Sequence, residues 1–382
     1  MSNSITMESK RHPSVRIKVF GVGGAGNNAI NRMASDSRAD LEGVTLVAVN
    51  TDVQDLEICN ANEKIAIGEK TTRGFGAGAD PAVGKAAAEE STELLKQSLE
   101  DADMVVITPG MGGGTGTGAA PVIAALAKEM GKLTVAFVTK PFSFEPSRRM
   151  KVAKEGIANL KENVDSFAVI LNQNLIDQPK LTDGKLGLGQ AFELADSVLD
   201  HALRSIVYII THNSYMNVDF RDMESVLKNG GVLHVAVGRA SGENMLMEAA
   251  KNSASSPLLE TPLAGGASKV IIHFTCPSTV SLTDFSDACE YIKTYASAGA
   301  ELDGIPGLTL DDSSDEACCT IIASGLTEDG EASRPNLNRF ADDATAEERT
   351  ADADSKEDDP EFFEFGEYKK VFNRPMPPKS HE

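Results

Sequence analysis

The sequence has 382 residues, 41% hydrophobic and 24% charged, a composition that suits a globular chain of two domains and a tail. Its net charge of -21 argues against sequence-independent binding to nucleic acid or to an anionic membrane, since both need a positive field. Residues 1–13 lack the apolar run of a signal peptide, and no stretch approaches the roughly 20 apolar residues of a spanning helix, so a cytoplasmic protein without direct membrane insertion is expected.

Residues 1–14 read as a polar, disordered extension. Short apolar runs then predict strands over 15–20, 45–49, 104–108, 133–138 and 166–171. Ala-rich stretches over 81–99 and 119–128 place apolar residues at helical spacing between them. Strands buried on both faces and separated by helices predict an α/β fold, a Rossmann-like domain over 15–187 with a doubly wound parallel sheet. Ligands of such sheets sit beyond the carboxyl ends of the strands. Residues 188–210 predict one long amphipathic helix, opening a connecting segment over 188–222. A second, smaller α/β domain is expected over 223–327, with strands over 232–237, 269–274 and 319–324. The composition of 328–357, rich in Asp, Glu, Ala, Arg and Ser, predicts a disordered acidic linker before a tail peptide over 358–382. The five cysteines show no CxxC and the six histidines no metal-type spacing, so reduced thiols and no protein-built metal centre are expected.

Two glycine loops carry the chemistry. Gly21-Val22-Gly23-Gly24-Ala25-Gly26 holds a GxGxxG between a strand and a helix. That pattern is either a tight strand-to-helix turn or a set of backbone N–H groups aimed at phosphate, and NAD- and FAD-binding domains share it. Gly110-Met111-Gly112-Gly113-Gly114-Thr115-Gly116-Thr117-Gly118 again follows a strand and precedes a helix. It frees the backbone to wrap an anion, and Thr115 and Thr117 add hydroxyls. No Lys follows, so it is not a P-loop, and amides, a helix dipole and a metal must neutralise the phosphate charge. A dinucleotide oxidoreductase needs only one such loop.

On Gly-Gly-Gly-Thr-Gly-Thr-Gly the chain resembles the tubulin/FtsZ family, and the resemblance extends over about residues 14–326. It implies a GTPase that binds GTP and GDP, with Mg2+ beside the phosphates and K+ as a further candidate cation. Gly23, Gly24, Ala25, Asn27 and Asn28 would line the first loop, and Asp52 of Asn50-Thr51-Asp52 a second. Ala77 and Gly78 belong to Gly74-Phe75-Gly76-Ala77-Gly78-Ala79-Asp80-Pro81, which resembles the γ-phosphate-sensing loop. Gly112, Gly113, Gly114, Thr115, Gly116, Thr117 and Gly118 would cradle the phosphates, and Glu145 and Arg149 hold the ribose. Asn172, Phe192 and Asp196 would read the base, Phe192 by stacking. Asp196 suits guanine, whose N1 and N2 groups are adjacent donors.

Asn217, Asp219 and Asp222 form a segment that two solvated carboxylates in a loop would also explain. The resemblance assigns them to catalysis in the site of the next subunit, in a head-to-tail homopolymer assembling at a midcell division ring. Here Thr211-His212-Asn213-Ser214-Tyr215-Met216 replaces the family's Pro-Gly-Leu-type turn before them. Asp358-Asp359-Pro360-Glu361-Phe362-Phe363 resembles the family's peptide for membrane adaptors and other division proteins. Phe365, Tyr368 and Phe372 follow at helical spacing, among the basic Lys369, Lys370, Arg374 and Lys379. A tubulin-like paralogue serving scaffolding or DNA segregation is the other reading of the same residues.

Overall fold

The computed structural model describes residues 15–35, 43–171, 173, 188–211, 214–255, 263, 266–297 and 302–326. The expected extension, linker and tail therefore lie outside the described residues. Six parallel strands form the first half of the sheet: β1 (Ile17–Val22), β2 (Val44–Asn50), β3 (Glu63–Ala66), β4 (Met104–Pro109), β5 (Leu133–Lys140) and β6 (Ser166–Leu171). The second half holds β7 (Gly231–Ser241), β8 (Lys269–Cys276), β9 (Asp303–Leu310) and β10 (Glu316–Leu326). The order is β3-β2-β1-β4-β5-β6-β7-β10-β8-β9, one sheet of ten strands. Only β10 runs antiparallel to its neighbours. The two halves meet where Ser166 and Phe167 pair with Gly231 and Val232, a junction of two register pairs.

Helices α1 (Gly23–Ser35), α2 (Val53–Glu57), α3 (Pro81–Glu90), α4 (Thr92–Leu99), α5 (Thr115–Glu129) and α6 (Ser147–Lys161) alternate with the first strands. Then come α7 (Leu188–Thr211), α8 (Phe220–Leu227), α9 (Met245–Ala254) and α10 (Leu282–Ser297). Every residue of β1 and β4 is buried, as expected for strands covered on both faces. Their period of two splits them between layers. Phe20, Val22, Val105 and Ile107 pack under α3 to α6, with Leu95, Ile123 and Ile157. Val19, Met104 and Val106 pack under α1, α7 and α8, with Ile30, Leu199, Leu203 and Met223. The doubly wound reading thus holds. Among the described residues no helix is long and apolar enough to cross a membrane.

Three local features of the structure go beyond the sequence reading. The stretch over 81–99 is two helices, because the Ser91 hydroxyl accepts the Gly68 N–H at 3.0 Å and holds a turn between them. The edge strands β3 and β9 lack strand-like sequences; β9 contains Pro306, which an edge tolerates because one side of its backbone needs no partner. The acidic segment around 219 is not merely loop: α8 begins within it.

Two buried histidines link the fold to pH. Burial lowers His273 to about 4; its Nε2 lies 3.1 Å from Thr309 Oγ1 and 3.4 Å from Ser214 Oγ. Burial first, then Arg204, Arg239 and Arg32, lowers His201 to about 3. Between pH 6.5 and these values the unfolded chain binds the extra protons, so stability falls as pH falls through that window. Urea unfolding should show stability at pH 5 below that at pH 7 by a few kcal/mol. His273→Asn should flatten part of that slope; an unchanged slope would remove His273 from the account.

Candidate functional site

β1 ends in Val22, and the chain turns at once into α1 with Gly23 at φ +73. A Cβ at Gly21 would collide with Ile30, and one at Gly26 with the Thr108 carbonyl, so these two glycines let α1 lie close on the sheet. The Asn27 amide, oriented to suit its neighbours, donates to the carbonyls of Gly21 at 2.9 Å and Gly23 at 3.2 Å and accepts from Asn50 Nδ2 at 3.1 Å. Asn27 is 3% exposed and pins the loop from beneath. Gly24, Ala25 and Asn28 are exposed at the mouth of the loop. Asn50 Oδ1 accepts the N–H groups of Thr51 and Asp52 at the end of β2. Asp52 caps α2 by accepting from Gln54 N. Asp55, one turn on, has an oxygen 3.4 Å from where a Gly24 Cβ would stand. No motif marked it in the sequence.

The second loop joins β4 to α5. Its glycines divide by what surrounds them. A Cβ at Gly116 would sit 2.6 Å from the Gly110 carbonyl oxygen, and one at Gly114 2.8 Å from Ala77 Cβ and from Asp80 N. One at Gly118 would collide with the Pro81 carbonyl, and one at Gly84 with the Gly114 carbonyl, so α3 and α5 touch backbone to backbone. Gly112 takes φ +97. Gly113 alone of this series has nothing within 4 Å, and Gly78, in the facing loop, is equally open. The hydroxyls do positioning work. Thr115 Oγ1 lies 2.6 Å from Thr51 Oγ1, and Thr117 Oγ1 accepts the Gly112 N–H at 2.9 Å. A Cβ at Gly23 would meet Gly116 N at 2.9 Å, so the two glycine loops form one continuous cradle.

The facing loop has positive φ at Arg73, Gly74, Gly76, Gly78 and Ala79, and non-glycine Ala79 at φ +60 is strained. Asp80 accepts from Ala82 N and Pro81 occupies the first turn, so α3 starts with its N-terminus at this loop. Ala77 is buried against Gly114 and leaves Gly78 at the surface. On the other side of the cradle, Glu145 accepts the Phe142 N–H at 2.9 Å and pairs with Arg149. Gln173 ties this segment to the end of β6 by accepting the Ser143 N–H at 3.1 Å.

The long helix carries two further positions past the cradle. Arg204 Nη2 donates to the Met33 carbonyl at 3.0 Å, joining α7 to the last turns of α1. Phe192 and Asp196 lie on consecutive turns of α7. Asn172 lies outside the described residues. Beyond Arg204, α7 continues for two turns. α8 then ends with the Leu227 carbonyl accepting from Ser166, the first residue of β6. The acidic pair at the start of α8 is thus remote from the glycine loops of its own chain. Asp219 Oδ1 accepts the Asp222 N–H at 2.9 Å and Asp222 Oδ2 accepts the Asp219 N–H at 3.0 Å, a capping box. Asn217 is exposed beside it.

The profile of the Tubulin/FtsZ family, GTPase domain, matches residues 16–180, and that of the FtsZ family, C-terminal domain, matches 231–327. An FtsZ variant from M. jannaschii aligns with TM-score 0.72 at 38% identity, covering 82% of this chain and 92% of that one. The chain belongs to the tubulin/FtsZ family. An empty FtsZ dimer from M. jannaschii gives TM-score 0.71 at 38% identity over 85% of this chain and 93% of that one. CetZ2 from Haloferax volcanii, solved as a GTPγS-bound protofilament, gives 0.71 at 18% identity over 84% and 95%, a likeness of fold. As a member of this family the protein binds GTP and GDP and is a GTPase with a cytoskeletal architecture. The matched GTPase domain contains both glycine loops and the Glu145–Arg149 pair.

Proposed function

We propose that this GTPase polymerises head to tail and forms the ring that divides a bacterial cell. The observation that carries this reading is the separation of the cradle from the acidic pair. The cradle offers amides and two helix N-termini to phosphate, while the loop carboxylates Asp52 and Asp80 are engaged in capping α2 and α3. The pair, an exposed Asp219 and a half-buried Asp222 joined in a capping box beyond α7, would serve the cradle of another copy. A site divided in this way hydrolyses GTP only in the polymer, and catalysis is positioning plus charge stabilisation. Asn217, Asp219 and Asp222 would orient the attacking water. Gly113, Gly78, Gly24 and Ala25 would approach the phosphates, with Asn27, Asn28, Thr115 and Thr117 shaping the loops. Glu145 and Arg149 would hold the ribose, while Asn172, Phe192 and Asp196 read guanine. Asp55 beside Gly24 and Asp52 beside Gly76 are the carboxylates that fit a Mg2+ bound mainly by phosphate and water. K+ is the monovalent candidate, to be read from rates in KCl against NaCl.

We place the boundaries of the GTP-binding domain at 15–187, the connecting segment at 188–222 and the second domain at 223–327. Within the tail peptide 358–382, Pro360, Phe362 and Phe363 would contact a membrane adaptor or another division protein. GTP turnover per subunit should be close to zero at low protein concentration and rise steeply above a threshold, with pelleting in GTP but not in GDP or ATP. A specific activity independent of protein concentration would overturn the shared site. Normal cell division after depletion of the protein would favour the paralogue reading.

A further inference from the structure

A groove of about 680 Å³ runs over the outer surface between α3, α5 and α6, away from the cradle mouth but behind it, since Thr117 and Gly118 form its upper end. Pro121, Val122 and Val152 give it an apolar floor. Pro121 also cannot donate to the Thr117 carbonyl one turn earlier in α5. Four exposed carboxylates, Glu89, Glu129, Glu155 and Glu162, stand along it, and Lys85, 3.7 Å from Glu89, is its one lining cation. Of the neighbouring cations, Lys128 donates to the Val164 carbonyl and Lys161 lies over the Phe167 ring, while Lys151 and Lys154 stand exposed on α6 outside the lining. The groove therefore asks for an apolar strip carrying positive charge.

The same chain holds such a strip. Residues 365–374 contain Phe365, Tyr368 and Phe372 at helical spacing i, i+3 and i+7, with Lys369, Lys370 and Arg374 and only Glu367 opposed to them. As a helix these ten residues would measure about 15 Å, close to the length from Val152 in α6 to its C-cap Glu162 along the groove. The chain also leaves the fold at the right place. Leu326, the last described residue, pairs with Val232; Gly325 N donates to the Gly230 carbonyl at 2.7 Å, and Gly231 N to the Asp165 carbonyl at 3.0 Å. Asp165 is two residues from Asn163, which closes the lower end of the groove. The composition of the intervening residues predicts a flexible tether with an end-to-end distance on the order of 30 Å, which holds a segment near its own chain at an effective concentration on the order of millimolar.

We infer that residues 365–374 dock as an amphipathic basic helix into the acidic groove between α3, α5 and α6 of their own chain. Docking seats the tail against the helix that carries Thr117 and hence the Gly112 N–H of the phosphate loop. Pro360, Phe362 and Phe363 stay outside the groove, so the inference does not depend on the adaptor reading.

Zero-length carbodiimide cross-linking of the full-length protein, kept below its assembly threshold and read by mass spectrometry, tests it. Equal amounts of light and 15N-labelled chain distinguish links within a chain from links between chains. Lys369 or Lys370 should join Glu129, Glu155 or Glu162 within one chain. The double variant Glu155→Lys, Glu162→Lys, both exposed, should cut that yield about tenfold. Adding Lys369→Glu and Lys370→Glu should restore links in the reversed sense. Links found mainly between light and heavy chains would assign the groove to a second copy's tail and overturn docking in cis. Links scattered over other surface carboxylates, or unaffected by the charge reversal, would overturn the site itself.

Discussion

Replacing Asp219 or Asp222 with Asn should lower GTP turnover by about 100-fold or more while leaving the fold intact. Asn is chosen for a structural reason. Both acids sit in a capping box, so an Ala substitution removes a helix cap and costs about 1 kcal/mol in addition to any catalytic loss. Asn keeps an oxygen that accepts the Asp222 or Asp219 N–H and removes only the charge. The Asn variants should therefore unfold in urea within about 0.5 kcal/mol of the parent. They should bind GTP as the parent does, since the pair is remote from its own cradle. Polymers should form and persist, and mixing with parent protein should slow the whole population. Steady-state phosphate release, urea unfolding and pelleting are the three measurements. Turnover at the parent rate in Asp222→Asn would move catalysis to other residues.

Gly116→Ala and Gly113→Ala should fail in different ways, although they lie three residues apart in one motif. A methyl at Gly116 meets the Gly110 carbonyl at 2.6 Å and the Val22 carbonyl at 3.1 Å, both rigid backbone. The helix-propensity gain of about 1 kcal/mol does not offset overpacking of that kind, which costs about 1–3 kcal/mol. Gly116→Ala should thus lower the melting temperature of the nucleotide-free protein by about 5 °C. A methyl at Gly113 meets nothing in the protein. Its melting temperature should not move, whereas GTP affinity should fall at least about tenfold because the added group occupies the path of the phosphate. Thermal scans without nucleotide and a GTP titration separate the two effects. Loss of stability in Gly113→Ala, with affinity unchanged, would mean that the phosphate lies elsewhere.

The sequence alone determined the parallel sheet, because strands buried on both faces must be apolar throughout, and 17–22 and 104–109 are nearly so. It determined the two phosphate loops for a similar reason: glycine-rich turns between strand and helix have few physical uses. It also marked Asp219 and Asp222 as a pair. What it left undecided was the work of each residue, since spacing along the chain does not say what stands opposite. Only the tertiary structure showed that Gly114, Gly116 and Gly118 are small because α3, Ala77 and Gly110 press on them, while Gly113 is small beside open space. It showed that the Thr115 hydroxyl lies against Thr51 and that the Thr117 hydroxyl accepts the Gly112 N–H, and it brought Asp55 to Gly24. The edge strands β3 and β9 became strands through their neighbours' hydrogen bonds rather than their own pattern. The separation of the acidic pair from its own cradle was likewise set by packing: the Arg204–Met33 bond and the Ser166–Leu227 bond fix where α7 and α8 end. Burial and period are properties of a single segment and are written in its residues; close approach and distance belong to pairs of segments, and only the folded chain holds those pairs.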